Sequence, residues 1–138
     1  MPKLSDIKIK AVILGAVVDN AGTILLMTIL AALLVKSGLT EDEVMLRMKS
    51  NDGLLLGLIL GMGCTVGGAL LAGVMAKEAE ILHGALVAAI GMVLSIVFHE
   101  SGDPLWFQIA GFVAILPAGV FGGYLAKKRH ASPPGQVG

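Results

Sequence analysis

Four stretches of this chain, about Ala11–Val35, Gly53–Ala76, Ile81–Phe98 and Leu105–Ala126, are apolar for long enough to cross a bilayer core of roughly 30 Å at about 1.5 Å rise per helical residue. Inside hydrocarbon no water is present to bond the backbone, so each span must satisfy its own N–H and C=O groups, and runs of this length do so as helices. The expected fold is therefore an all-α membrane protein, a four-transmembrane-helix bundle. Only 14% of the 138 residues are charged, against roughly a quarter in a soluble domain, which leaves little chain for a second unit. Residues 1–130 read as a single membrane domain, and the tail ASPPGQVG, residues 131–138, reads as disordered.

A secretory signal peptide is the competing reading of the first run. That run is too long, lacks an A-x-A cleavage pattern and carries a carboxylate, so it reads as a span. Lys3, Lys8, Lys10, Lys77, Lys127, Lys128 and Arg129 fall on one side of the membrane, and Lys36, Arg47 and Lys49 on the other. The positive-inside bias places both termini in the cytoplasm, in a plasma or inner membrane. Lys+Arg and Asp+Glu both number 10, so no basic excess points to nucleic acid, and the single cysteine, Cys64, has no intrachain partner. Trp106 and Tyr124 suit the interfacial belts.

The first outer loop, SGLTEDEVMLRMKSND, is the long one. Thr40 followed three residues later by Glu43 is a capping box and predicts a short helix there. Val44, Met45 and Met48 would give it an apolar face for the membrane surface; a solvated connector is the other reading.

The chain also resembles itself. GAVVDNAGTIL from Gly15 aligns with GALVAAIGMVL from Gly84, pairing Gly15 with Gly84 and Gly22 with Gly91. AGVMAK at 72–77 aligns with GGYLAK at 122–127, and Gly61 with Gly111. Two two-span hairpins pointing the same way would be parallel repeats. Where the first copy has Asp19, Asn20 and Thr23, the second has Ala88, Ala89 and Met92.

That polar cluster is the main chemical feature. Gly15, Asp19, Gly22 and Thr23 share one helix face, and small residues there let another helix approach and take the carboxylate away from lipid. Span two offers Gly57, Gly61, Cys64 and Gly68, with Gly63 and Gly67 beside them, and span four ends in Gly119, Gly122 and Gly123. Counting rises, Asp19 lies roughly 12 Å in from the cytoplasmic side, and Cys64, Thr65 and Pro117 arrive at a similar depth. Pro117 would deprive the Val113 carbonyl of its partner. The candidate site is thus Asp19, Asn20, Thr23, Cys64 and Thr65, with the Val113 carbonyl in the same layer. A bare carboxylate at mid-membrane costs at least about 2.5–3.5 kcal/mol. Protonation, a water-filled cavity or a cation from another molecule would each relieve it, and a protonated Asp19 bonded to Asn20, Thr23 or Thr65 would be purely structural.

His99 and Glu100 with Asp103 are a second polar group, read as an exposed loop, and His83 reads as an interfacial anchor. No zinc spacing, nucleophile elbow, phosphate loop or carboxylate pair occurs, so the chain reads as a non-enzyme without cofactor or metal.

DNAGT in span one resembles the acidic-xx-Gly-Thr pattern in the first helix of small multidrug resistance transporters, which also have four short spans. That resemblance implies proton coupling and cationic-drug binding at Asp19, with Gly22 and Thr23 packing. The chain departs from the pattern in having aspartate for glutamate, a longer first outer loop and no tryptophan in span three. GGALLAGVMAKEAEILHGALV is similar to small uncharacterised prokaryotic four-span proteins with a glycine-rich helix end and a His-Gly pair; they imply no activity. Two functions stay open: a transport or permeation unit built on Asp19, or a non-transporting subunit or assembly factor whose glycine faces dock a partner and whose Asp19 pairs with that partner's cation. Either implies a homo-oligomer or a membrane-protein partner besides the lipid bilayer.

Overall fold

A computed structural model describes residues 7–98 and 102–131. They form α1 (Ile9–Lys36), α2 (Glu41–Lys49), α3 (Asn51–Ala76), α4 (Glu80–Val97) and α5 (Leu105–Ala131), with no strand among the described residues. α1, α3, α4 and α5 are long and apolar enough to cross a membrane, and they correspond to the four expected spans. Large apolar side chains such as Ile24, Ile59, Val93 and Val113 stay exposed on their outer surfaces. The architecture is that of a small integral membrane protein. α5 runs five residues past the expected Ala126, because Lys127, Lys128, Arg129 and His130 continue the helix and their charge favours its C-terminal end. Ala131 is therefore helical, and residues 132–138 of the expected tail lie outside the described residues.

α3 packs on α1, α4 and α5, and α4 on α1, α3 and α5, while α1 and α5 stay apart. The cross-section is a diamond with α3 and α4 on its short diagonal. A two-fold axis relating the hairpins would treat α1·α5 like α3·α4, so the bundle as a whole is not two-fold symmetric. Locally the hairpins do match. A methyl group added at Gly15 would lie 2.6 Å from Gly68 O and 2.9 Å from Ala72 Cβ, and one at Gly84 would collide with Gly119 O and sit 2.9 Å from Gly123 N. Both hairpins thus cross backbone to backbone at the aligned glycine, against two small residues four apart. At the next turn Asp19 lies against Gly68 and its aligned Ala88 against Gly119.

These crossings lie toward the end of the bundle that holds both described chain ends, called here the terminal end. The core of Val12, Ala69, Ala72 and Val87 is there too, with Ile7, Leu86 and Ile90 packed on it. His83, read from the sequence as an interfacial anchor, is fully buried at this end. Its Nδ1 lies 2.9 Å from Ala79 O, and its Nε2 accepts the Lys8 backbone N–H at 2.9 Å. One contact needs a proton on Nδ1 and the other a lone pair on Nε2, which fixes the neutral tautomer. The Lys8 ammonium donates to Ala76 O at 2.6 Å. Lys8 therefore ties the start of α1 to the end of α3 and the start of α4.

α2 has the expected capping box: Thr40 Oγ1 accepts from Glu43 N, and Glu43 Oε2 accepts from Thr40 N at 2.8 Å. Val44 is buried and Met48 half-buried, whereas Met45 and Leu46 are exposed. The short helix leans on the bundle through Val44 rather than presenting Val44, Met45 and Met48 together to the membrane. Ser50 ends α2 and caps α3 by accepting from Gly53 N.

Candidate functional site

Asp19 is 5% exposed and projects from α1 between α3 and α4. Gly68 makes room for it on α3, since a methyl there would stand 3.0 Å from Asp19 Cβ. Thr65, also buried, donates its hydroxyl to Asp19 Oδ1 at 3.0 Å and lies 3.1 Å from Gly61 O. Thr23 donates to Asp19 O at 2.9 Å, and Asn20 Nδ2 donates to Ala16 O at 2.8 Å. Neither bonds the Asp19 carboxylate. Both hydroxyl protons and one amide proton are thus spent on protein acceptors, and the surface left around Asp19 is mainly lone pairs. Asp19 Oδ2 has no hydrogen-bond partner among the described residues and faces Gly91 of α4, 3.3 Å from where a methyl would be.

A cavity of about 620 Å³ opens above Asp19, with Asn20, Thr23, Thr65, Gly91 and Ile115 beside its floor. All four long helices line it: Asp19 to Met27, Gly57 to Thr65, Gly91 to Phe98 and Phe107 to Ile115. Seven or eight helical rises on each helix correspond to a depth of about 12 Å. The geometry follows from where the small residues lie. The tight crossings at Gly15, Gly68, Gly84, Gly119, Gly122 and Gly123 lie level with Asp19 or on its terminal side, and from there the helices diverge toward α2. Among the described residues the cavity is therefore blind at the terminal end and open toward the other. Its mouth carries Asp103, Phe107 and Gln108, whose Nε2 donates to Asp103 O at 3.0 Å. Asp19 and Asp103 are the charged residues on its wall, and no Lys, Arg or His lines it among the described residues. Nor do the described residues gather three His, Cys, Asp or Glu side chains in a metal-holding group.

Of the five residues picked from the sequence, Asp19, Asn20, Thr23 and Thr65 line the cavity. Cys64 does not: its Sγ packs on α1, 3.3 Å from a methyl placed at Gly22. It directly precedes Thr65, and that single step turns it about 100° around α3. Pro117 and Val113 are exposed on the outer surface, so the expected free carbonyl plays no part in the cavity. Asp103 reaches the mouth, while its partners in the outer-loop group, His99 and Glu100, lie outside the described residues.

The packing glycines divide in the same way. Gly15, Gly68, Gly119 and Gly123 are in backbone contact with a neighbouring helix. Gly22 and Gly57 face flexible sulfur side chains, Cys64 and Met27, and Gly61 meets only the Thr23 methyl, at 3.9 Å from an added Cβ. Gly57 and Gly61 line the cavity instead of closing a seam. A methyl added at Gly63 or Gly67 would meet no other part of the described structure within 4 Å.

The sequence reading missed Gly91, Met27, Met62 and the aromatic wall of Phe98, Phe107 and Phe112. Gly91 carried a signal, since it aligns with Gly22. The aromatic residues lie on apolar helices whose orientation no pattern reported. Comparison with protein-family models, with curated proteins and with solved structures finds no match for this chain.

Proposed function

We propose that the protein is a small transport or permeation unit in which Asp19 takes up a proton or a cation at the blind end of the cavity. The observation that carries this reading is the unpartnered Asp19 Oδ2 at the foot of a 620 Å³ space that no cationic side chain lines among the described residues. An intramembrane carboxylate that faces a cavity and lacks a built-in counter-ion is expected to serve an ion or proton path. The alternative, a subunit whose glycine faces dock a partner, has less support. Gly15, Gly68, Gly119 and Gly123 are already filled by the chain's own helices, and Asp19 points inward, away from a neighbour's cation.

The test is flux through the purified chain in liposomes. Expected is dissipation of a proton or monovalent-cation gradient, lost in Asp19→Asn and reduced in Thr65→Val, which removes the hydroxyl while keeping its shape. Absence of flux, or flux unaffected by Asp19→Asn, would overturn the reading. Recovery of a stoichiometric second protein from native membrane would favour the subunit role instead.

A further inference from the structure

We propose that a recess between α3 and α5 at the terminal end binds one anionic phospholipid, its phosphate on Arg129 and Lys128 and its acyl chains along the two helices. The site is separate from the Asp19 cavity. The recess, about 340 Å³ in volume, is lined by Leu70 of α3 and by Leu125, Lys128 and Arg129 of α5. Leu125, Lys128 and Arg129 stand at i, i+3 and i+4 and so share a face of α5. Both leucines are half-buried and both cations are exposed.

Its depth suits a headgroup. The apolar part of α5 ends at Ala126, so Lys128 and Arg129 come where hydrocarbon gives way to the polar layer. α5 runs toward the terminal end, and side chains on a helix lean toward its N-terminus, so both cations bend back over Leu125 toward the bilayer. A molecule held there has its charge at the level of the lipid phosphates and its body in hydrocarbon.

Its charge selects among lipids. The last turn of α5 divides its cations between two sides. His130 Nδ1 lies 2.9 Å from Glu80 Oε1, on the α4 side. The recess lies on the α3 side, and no carboxylate lines it among the described residues. A phosphate can take two N–H donors from the Arg129 guanidinium, with the Lys128 ammonium as a second positive charge. A zwitterionic headgroup brings its own ammonium, for which the recess offers no acid. The fit is therefore to a lipid of net negative charge, the kind that basic pockets between membrane helices hold.

The surface leading away from the recess is shaped for chains. Toward the bilayer centre the Leu125 face continues to the exposed Phe121, and the Leu70 face to Gly67 and Gly63. Both glycines are exposed, and a methyl added at either would meet nothing within 4 Å, so an acyl chain can lie directly on that stretch of α3. A free phosphate ion would leave the leucines and this surface unused.

The experiment is native mass spectrometry of the full chain, released from micelles and titrated with dioleoylphosphatidylglycerol. Expected is one phosphatidylglycerol held more tightly than further copies and more tightly than dioleoylphosphatidylcholine. Arg129→Gln and Lys128→Gln should each weaken it about five-fold, and the double variant about 30-fold, as expected for loss of one and two cations beside an anionic headgroup. Lys127→Gln removes the same charge from the same turn outside the recess and should leave the affinity unchanged. Excess inorganic phosphate should not displace the lipid. Phosphatidylcholine held as tightly, or full affinity in the double variant, would overturn the inference. So would an equal loss in Lys127→Gln, which would mean diffuse attraction to the helix end, or displacement by inorganic phosphate, which would mean an anion site indifferent to lipid.

Discussion

A single hydrogen-for-methyl exchange separates two kinds of glycine on α3. Gly68 is in contact with Gly15 O and holds Asp19 Cβ at 3.0 Å from an added methyl, so Gly68→Ala must push α1 away. Overpacking of that kind costs about 1–3 kcal/mol, read as a fall in thermal stability in detergent. Gly61→Ala meets only the Thr23 methyl at an ordinary distance and should cost nothing, or stabilise by up to about 1 kcal/mol through the lower entropy of the unfolded chain. Equal losses at both positions would show that the helices do not diverge between them. The sequence presented Gly57, Gly61 and Gly68 as one stripe, because i, i+4 spacing reports a shared face and not the distance to whatever lies opposite. It was also unable to distinguish Cys64 from Thr65 by depth, since only the turn of α3 decides which of them meets Asp19. The carboxylate itself was legible: nothing apolar substitutes for the charge it brings, and its aligned position in the second hairpin is Ala88.

At the scale of elements, the short segments are held by local chemistry that a sequence displays openly. In α2 the Thr40 backbone N–H, and then its hydroxyl, hold the Glu43 carboxylate below the usual glutamate range. Because the folded pKa is the lower one, the capping box contributes fully above the unfolded value of about 4.3 and is lost as pH falls through the folded value. Hydrogen-exchange protection of the Glu43 and Val44 amides should therefore be flat from about pH 7 to 5 and decline below about pH 4. Glu43→Gln should remove the pH dependence. The α3–α4 turn was less legible. Lys77 and Ala79 both adopt positive φ, 62° and 48°, with no glycine to announce it. A side chain in the left-handed region costs roughly 1–2 kcal/mol, so Ala79→Gly should stabilise the protein by about 1 kcal/mol after its extra unfolded-state entropy is offset. Hydropathy located all four spans because lipid enforces helix over any run of sufficient length. Their ends moved by a few residues where charged side chains or caps carried the helix beyond the apolar stretch.

For the whole molecule, the division into a tight terminal end and a divergent opposite end predicts one-sided access. In a Cys64→Ala background, Thr23→Cys and Ser95→Cys, both on the cavity wall, should react with a membrane-impermeant thiol reagent applied to the α2 face of oriented proteoliposomes and be protected from the terminal face. Equal labelling from both faces would mean a through-pore. The divergence was not readable from the sequence, because it depends on how four helices of nearly uniform hydropathy stack small residues against one another at one level. The hairpin repeat pointed to the crossings at Gly15 and Gly84 but not to the diamond cross-section they sit in. The Lys8 junction has a consequence for biogenesis. Its bond to His83 links residues 75 positions apart, between the first and third spans. Until the third span has been delivered into the bilayer, the Lys8 amide lacks its acceptor and Val12 lacks Val87. The first helix, although synthesised earliest and able to pair with the second span through Gly15 and Gly68, therefore completes its docking only once the third span has arrived.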